Sequence, residues 1–79
     1  MILTKQQYEE RVAMATALTA MGLKRGKSYH HNGASVYPVT QMYGKEYMVD
    51  PLNGLSMTYR DPYGAAIHFV NLVVQKWRG

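Results

Sequence analysis

Three histidines and five carboxylates are the side chains best suited to chemistry in this sequence, and their spacing limits what they can do. His30 and His31 are adjacent, within the stretch KRGKSYHHNG at 24–33. Neighbouring side chains on a strand point to opposite faces, so this pair does not readily serve one metal ion. His68 has Leu72 four residues on, where a helical chelating pair needs a second ligand. A zinc site takes three or four ligands from His, Cys, Asp and Glu, and the chain has no cysteine. Glu9 and Glu10 are helix neighbours that diverge, while Glu46, Asp50 and Asp61 fall at turns or element ends. A pairing of Ser28 or Ser35 with His30 lacks a nucleophile-elbow pattern around either serine. Lys24–Lys27 has one glycine and none of the P-loop spacing. The expectation is a non-enzymatic protein with no catalytic residue, metal or cofactor.

The same residues suit binding. Lys24, Arg25 and Lys27 precede Tyr29, His30 and His31, and cations followed by an aromatic on a hairpin can grip a phosphate backbone and stack a base. An acidic groove on a protein is an equal match. No acid occurs between Arg11 and Lys45, so the cations there stand unopposed. The candidate partner-binding residues are therefore Lys24, Arg25, Lys27, Tyr29, His30, His31, Lys45 and Arg60. Tyr29, Tyr37, Tyr63, Arg60 and Trp77 are of the types enriched at interface hot spots.

The elements that position these groups follow from capping and periodicity. Thr4 with Gln7 fits a capping box, and Leu3 with Tyr8 a hydrophobic staple, opening a helix over 4–21. Tyr8, Val12, Ala15 and Leu18 fall on one face of it, with Ala13, Ala17 and Ala20 on another. Gly22 fits the C′ position of a Schellman end, with Leu23 set to touch Leu18. Asn32-Gly33 predicts a two-residue hairpin turn between strands near 27–31 and 34–37. Pro38 marks an edge, a bulge or a break. Gly44-Lys45 fits a second turn, with Tyr43 opposite Glu46, joining strands near 39–43 and 46–50. After turn chemistry at 50–54, residues 55–60 alternate as a half-buried strand. Asp61 and Pro62 fit the N-cap and N1 positions of a last helix over 62–77. The fold class is α+β, in the order α-β-β-β(-β)-α: an antiparallel meander sheet flanked by an N-terminal and a C-terminal helix.

The last helix gathers its polar residues into one stripe of Gly64, His68, Asn71 and Gln75. The remaining arc is nearly twice the roughly 100° that a helix on one sheet face needs. The surplus points to three destinations: the first helix, a partner, or a second copy, with Phe69, Val73 and Trp77 as the self-association or partner face.

The chain has 79 residues and a net charge of +4, so residues 1–79 read as a single domain with one modest core. The absence of cysteine suits a reducing, cytoplasmic setting. No apolar run is long enough to span a bilayer, so no membrane partner is expected. In size and composition the chain resembles the small cysteine-free proteins with which phages and mobile elements inhibit host machinery, anti-CRISPR proteins among them. That resemblance implies steric docking on a host protein or ribonucleoprotein complex, and the apolar surplus implies a homodimer. Two alternatives stand beside it: a small nucleic-acid-binding module using the basic hairpin loop, and a small enzyme or toxin with a His-centred site.

Overall fold

A computed structural model describes residues 3–31 and 33–74. Helix α1 (Lys5–Lys24) opens on the expected capping box. The Gln7 N–H donates to the Thr4 hydroxyl and the Thr4 N–H to the Gln7 side chain, both at 3.1 Å. The helix ends later than expected. Gly26, not Gly22, takes the left-handed conformation, at φ +92°. The Lys27 N–H reaches the Gly22 carbonyl at 2.9 Å and the Gly26 N–H the Leu23 carbonyl at 3.0 Å, the two bonds of a Schellman end. Gly22 stays helical and is small for another reason: a Cβ there would lie 1.7 Å from the Tyr29 hydroxyl oxygen.

The chain then forms β1 (Tyr29–His31), β2 (Ala34–Gln41), β3 (Gly44–Asp50) and β4 (Met57–Tyr59). They pair antiparallel in the order β1-β2-β3-β4, which makes the fourth strand definite. His31 faces Ala34 across the first turn, as the Asn32-Gly33 signal requires; Asn32 itself lies outside the described residues. The second hairpin differs from expectation. Gln41 faces Gly44, so Met42 and Tyr43 make the turn and Tyr43 does not face Glu46 in the ladder. Gly44 follows at φ +142°, a backbone that side-chain-bearing residues rarely adopt. Pro38 is not a break: β2 runs through it, opposite Tyr47. Antiparallel hydrogen bonds alternate in direction along a strand. Counted from the Gln41–Gly44 pair, position 38 turns its nitrogen toward the β1 side, where pairing reaches only as far as Val36. Its missing N–H therefore costs no ladder bond.

Helix α2 (Pro62–Val74) begins as expected at Asp61, whose carboxylate accepts the Tyr63 N–H at 3.3 Å. The expected helix residues 75–77, with Gln75 and Trp77, lie outside the described residues. α2 touches β2, β3 and β4 as well as α1. Ala34, Val36, Tyr47 and Val49 from one sheet face join Ala65, Ala66, Phe69, Val70 and Val74 of α2 and Ala20 and Leu23 of α1 in one buried cluster. The apolar surplus of α2 is thus largely consumed inside the molecule. Phe69 is only 6% exposed and Val73 is half-buried, so neither offers a broad outer face. Tyr59 from β4 meets the polar stripe of α2, its hydroxyl 2.8 Å from His68 Nδ1.

Helix α1 turns a different face inward than its leucines suggest. Thr16, Thr19, Ala20, Gly22 and Leu23 are buried, whereas Leu18 is 61% exposed. Thr16 enters the interior by donating its hydroxyl to the Val12 carbonyl at 2.7 Å, which leaves its methyl free to pack. Both helices lie on one face of the sheet, and no described helix covers the other.

Candidate functional site on the open sheet face

Cross-strand partners share a sheet face, so the register specifies what the open face carries. One row runs His30, Ser35, Asp50 across β1, β2 and β3. The next runs Tyr37, Met48, Thr58 across β2, β3 and β4. Val39 and Glu46 form a third, and Arg60, one residue beyond Tyr59, continues it. No described helix covers these rows, whose side chains are mostly half-buried among themselves or exposed.

Hydrogen bonds order the face. His30 Nδ1 lies 2.8 Å from the Ser35 hydroxyl. The Tyr37 hydroxyl donates to Asp50 at 2.6 Å and lies 3.2 Å from the Met48 sulfur. Ser56, from the β3–β4 connection, donates to the other Asp50 oxygen. The Tyr43 hydroxyl donates to Glu46, and the Arg60 guanidinium sits 5.9 Å from the Tyr43 ring centre. Tyr43, Gly44, Lys45, Glu46 and Arg60 line a half-open pocket of about 240 Å³ at this end of the sheet.

The electrostatics are those of a fixed surface. The Ser56 and Tyr37 hydroxyls hold the Asp50 carboxyl below its ordinary 3.8. The same bond, with some burial, raises Tyr37 above 10.0. The bond to Glu46 raises Tyr43 in the same way, partly offset by Arg60. A lowered carboxylate contributes stability that is present above its unfolded value and lost as pH falls through the folded one. A raised phenol contributes stability that is present below its unfolded value and lost as pH rises through the folded one. The network is therefore intact across about pH 5 to 9 and weakens at both extremes. Thermal unfolding followed from acid to alkaline pH is expected to show the difference in Tyr37→Phe. That variant should lose the part of the alkaline limb that Tyr37 supplies, leaving the part due to Tyr43, and keep most of the acid limb, because Ser56 is the larger influence on Asp50.

The cluster at 24–33 is dispersed. Tyr29 shares a face with Val36 and lies against Gly22, so its ring belongs to the packing of α1. His30 is on the open face, and His31, paired with Ala34, is on the opposite one. Lys24, Arg25 and Lys27 are exposed at the α1 end that leads into β1. Lys45 on β3 and Arg60 just past β4 stand two and three strand spacings from β1, about 10 and 14 Å across the sheet. Of the eight candidates, His30, Lys45 and Arg60 border the open face or its pocket. Tyr37, Tyr43, Ser35, Glu46, Asp50 and Ser56 complete it and were not singled out from sequence as a group, because their proximity depends on the β2–β3 register. The Ser35–His30 contact forms, but the hydrogen bonds of Asp50 go to Tyr37 and Ser56 rather than to His30, so no Ser-His-Asp relay is assembled. Among the described residues, no three of His, Asp and Glu converge to hold a metal ion. No described helix is long and apolar enough to cross a membrane.

The chain matches no family model, and the comparisons with curated proteins and with solved structures found no match.

Proposed function

We propose that this protein is a non-enzymatic binding module that docks on a protein surface through the open face of its sheet. One observation carries this reading: Tyr37 and Tyr43 are each held by a carboxylate, beside Arg60 and His30, on a face that no described helix covers. Tyrosine and arginine dominate interface hot spots, and side chains already ordered lose less entropy on association. The two carboxylates also select the partner class. A nucleic-acid phosphate approaching either tyrosine would meet Asp50 or Glu46, whereas a protein surface of mixed charge finds complements to both signs.

The finer role we propose is steric inhibition of a nucleic-acid-handling host complex, in the manner of small phage inhibitors. The exposed Lys24, Arg25 and Lys27 beside the β1 edge support it, since they can occupy ground that a nucleic acid would use on such a complex.

Immobilised protein incubated with nuclease-treated lysate of the source cells tests the reading. Tyr37→Ala with Arg60→Glu is expected to weaken retention of the partner about 30-fold, equivalent to about 2 kcal/mol. Lys24→Ala/Arg25→Ala/Lys27→Ala is expected to cost only a few-fold. If the triple variant alone abolished retention, or if nuclease treatment did, the nucleic-acid reading would replace this one. Loss of a cellular effect through His30→Ala alone would support the enzyme or toxin reading instead.

A further inference from the structure

Helix α1 is apolar on two opposite sides. Its inner side joins the core, yet Met14, Leu18 and Met21 on the outer side are 67%, 61% and 51% exposed. Their spacing of four and then three residues makes one straight stripe along the helix. Beside it runs a flank at seven-residue spacing: Glu10, Ala17 and Lys24, all exposed. The flank reads acid, small, base. Rotated end for end about its centre it reads base, small, acid, so it is complementary to itself.

We infer that α1 is a self-association surface that pairs antiparallel with α1 of a second copy about a two-fold axis near Ala17. In an antiparallel helix pair, flanks of the same kind meet. Met14 then packs against Met21 of the second copy, and Leu18 against the middle of the facing stripe. Ala17 meets its own equivalent, where a small side chain permits close approach of the two backbones. Glu10 meets Lys24 of the second copy at one end, and Lys24 meets Glu10 at the other. A parallel pairing instead sets this flank against the other flank of the second copy, where Tyr8, Ala15 and Gly22 offer no charge to Glu10 or Lys24. Arg11 and Arg25, seven residues either side of Leu18, continue the stripe at its two ends, and Arg11 of one copy falls near Arg25 of the other; these are its unfavourable charges. Three large apolar side chains from each copy form a small contact, below the roughly 1,200 Å² of standard interfaces, so the dimer is a weak, reversible one. It uses α1, not the Phe69 and Val73 face, which is committed to the interior. It leaves the open sheet face of both copies free, and so is independent of the docking role.

Sedimentation equilibrium of the full chain over a wide concentration range tests this. The 9.0 kDa chain is expected to approach twice its mass as concentration rises. Leu18→Glu is expected to raise the dimer dissociation constant at least 30-fold, with an unchanged circular dichroism spectrum because the side chain is exposed. Glu10→Lys and Lys24→Glu are each expected to weaken the dimer about ten-fold, since two pairs change per dimer. Mixing these two variants in equal amounts is expected to restore association, because every facing pair is then opposite in sign. A chain that stays monomeric at every concentration overturns the inference. So does a dimer indifferent to Leu18→Glu, or one that the mixture of charge variants fails to restore.

Discussion

Leu23→Ala is expected to lower the stability of this protein by about 3 kcal/mol, a large-to-small cost set by the cavity left behind. Leu23 is 0% exposed and among the largest fully buried side chains. It lies in the last turn of α1, where the Schellman end fixes the backbone through the carbonyls of Gly22 and Leu23, so the main chain is poorly placed to collapse into a void. The cluster around it is rich in alanine, with Ala20, Ala34, Ala65 and Ala66, and such short side chains cannot reach in to fill the space. A domain of this length has a total stability of roughly 4 to 12 kcal/mol. The substitution should therefore lower the melting temperature by about 15 °C. Leu18→Ala is the control. At 61% exposure it should change the monomer's stability by less than about 0.5 kcal/mol, measured at a concentration low enough to suppress self-association. Equal effects at the two leucines would mean that the inward face of α1 is wrongly assigned.

The second large effect is a reversal of sign at Gly22. In the native chain Gly22→Ala is expected to destabilise by about 2 kcal/mol, as overpacking does. A Cβ at that position would lie 1.7 Å from the Tyr29 hydroxyl oxygen and 2.7 Å from the ring carbon that bears it. Either the ring leaves its site or β1, only three residues long, is displaced. With Tyr29→Ala already in place the obstruction is gone. Gly22→Ala should then stabilise by about 1 kcal/mol, the ordinary gain of alanine over glycine inside a helix. The two sites are thus coupled by about 3 kcal/mol, at the upper end of what contacting residues show. Chemical denaturation of the four proteins in the cycle measures this. An additive cycle would mean that Tyr29 does not rest on Gly22 and is free to serve a partner.

Much of the fold is legible in local chemistry. Thr4–Gln7 and Asp61-Pro62 each satisfy backbone groups within a few residues of themselves and sit where they were read, and the strands on either side of residues 32–33 pair as a two-residue turn there requires. The departures arise where distant residues decide. Gly22 looks like a helix end because glycine usually is one there; only the arrival of Tyr29, seven residues on, shows that smallness was required instead. Pro38 looks like a break until β1 proves too short to need its N–H. The β2–β3 register turned on choosing Gly44 as part of the turn rather than the residue after it. The alternative register differs by an even number of positions, so it preserves which residues share a face but changes which of them meet. Val39 and Met48 therefore share a face in either register, while the meeting of Ser35 with Asp50 and of Tyr37 with Met48 belongs to the observed one alone. In α1 the leucine and methionines mislead because hydrophobicity alone does not say which of two apolar sides faces the core. The threonines carry the missing signal, since a back-bonded hydroxyl can be buried at little cost.

These corrections move the adhesive character of the molecule rather than remove it. The apolar arc of α2 is divided between the sheet and α1. What remains outside, among the described residues, includes the Met14–Leu18–Met21 stripe and a sheet face of ordered tyrosines, carboxylates and cations. The basic run at 24–27 is an edge to that face and not its centre.

The affinity of the purified partner for two variants, measured side by side by calorimetry at fixed salt, tests the docking role most directly. Tyr37→Ala/Arg60→Glu is expected to bind about 30-fold more weakly than the native chain, and Lys24→Ala/Arg25→Ala/Lys27→Ala within about five-fold of it. The reverse order, with the sheet-face variant near native and the triple lysine–arginine variant without measurable binding, would contradict the account.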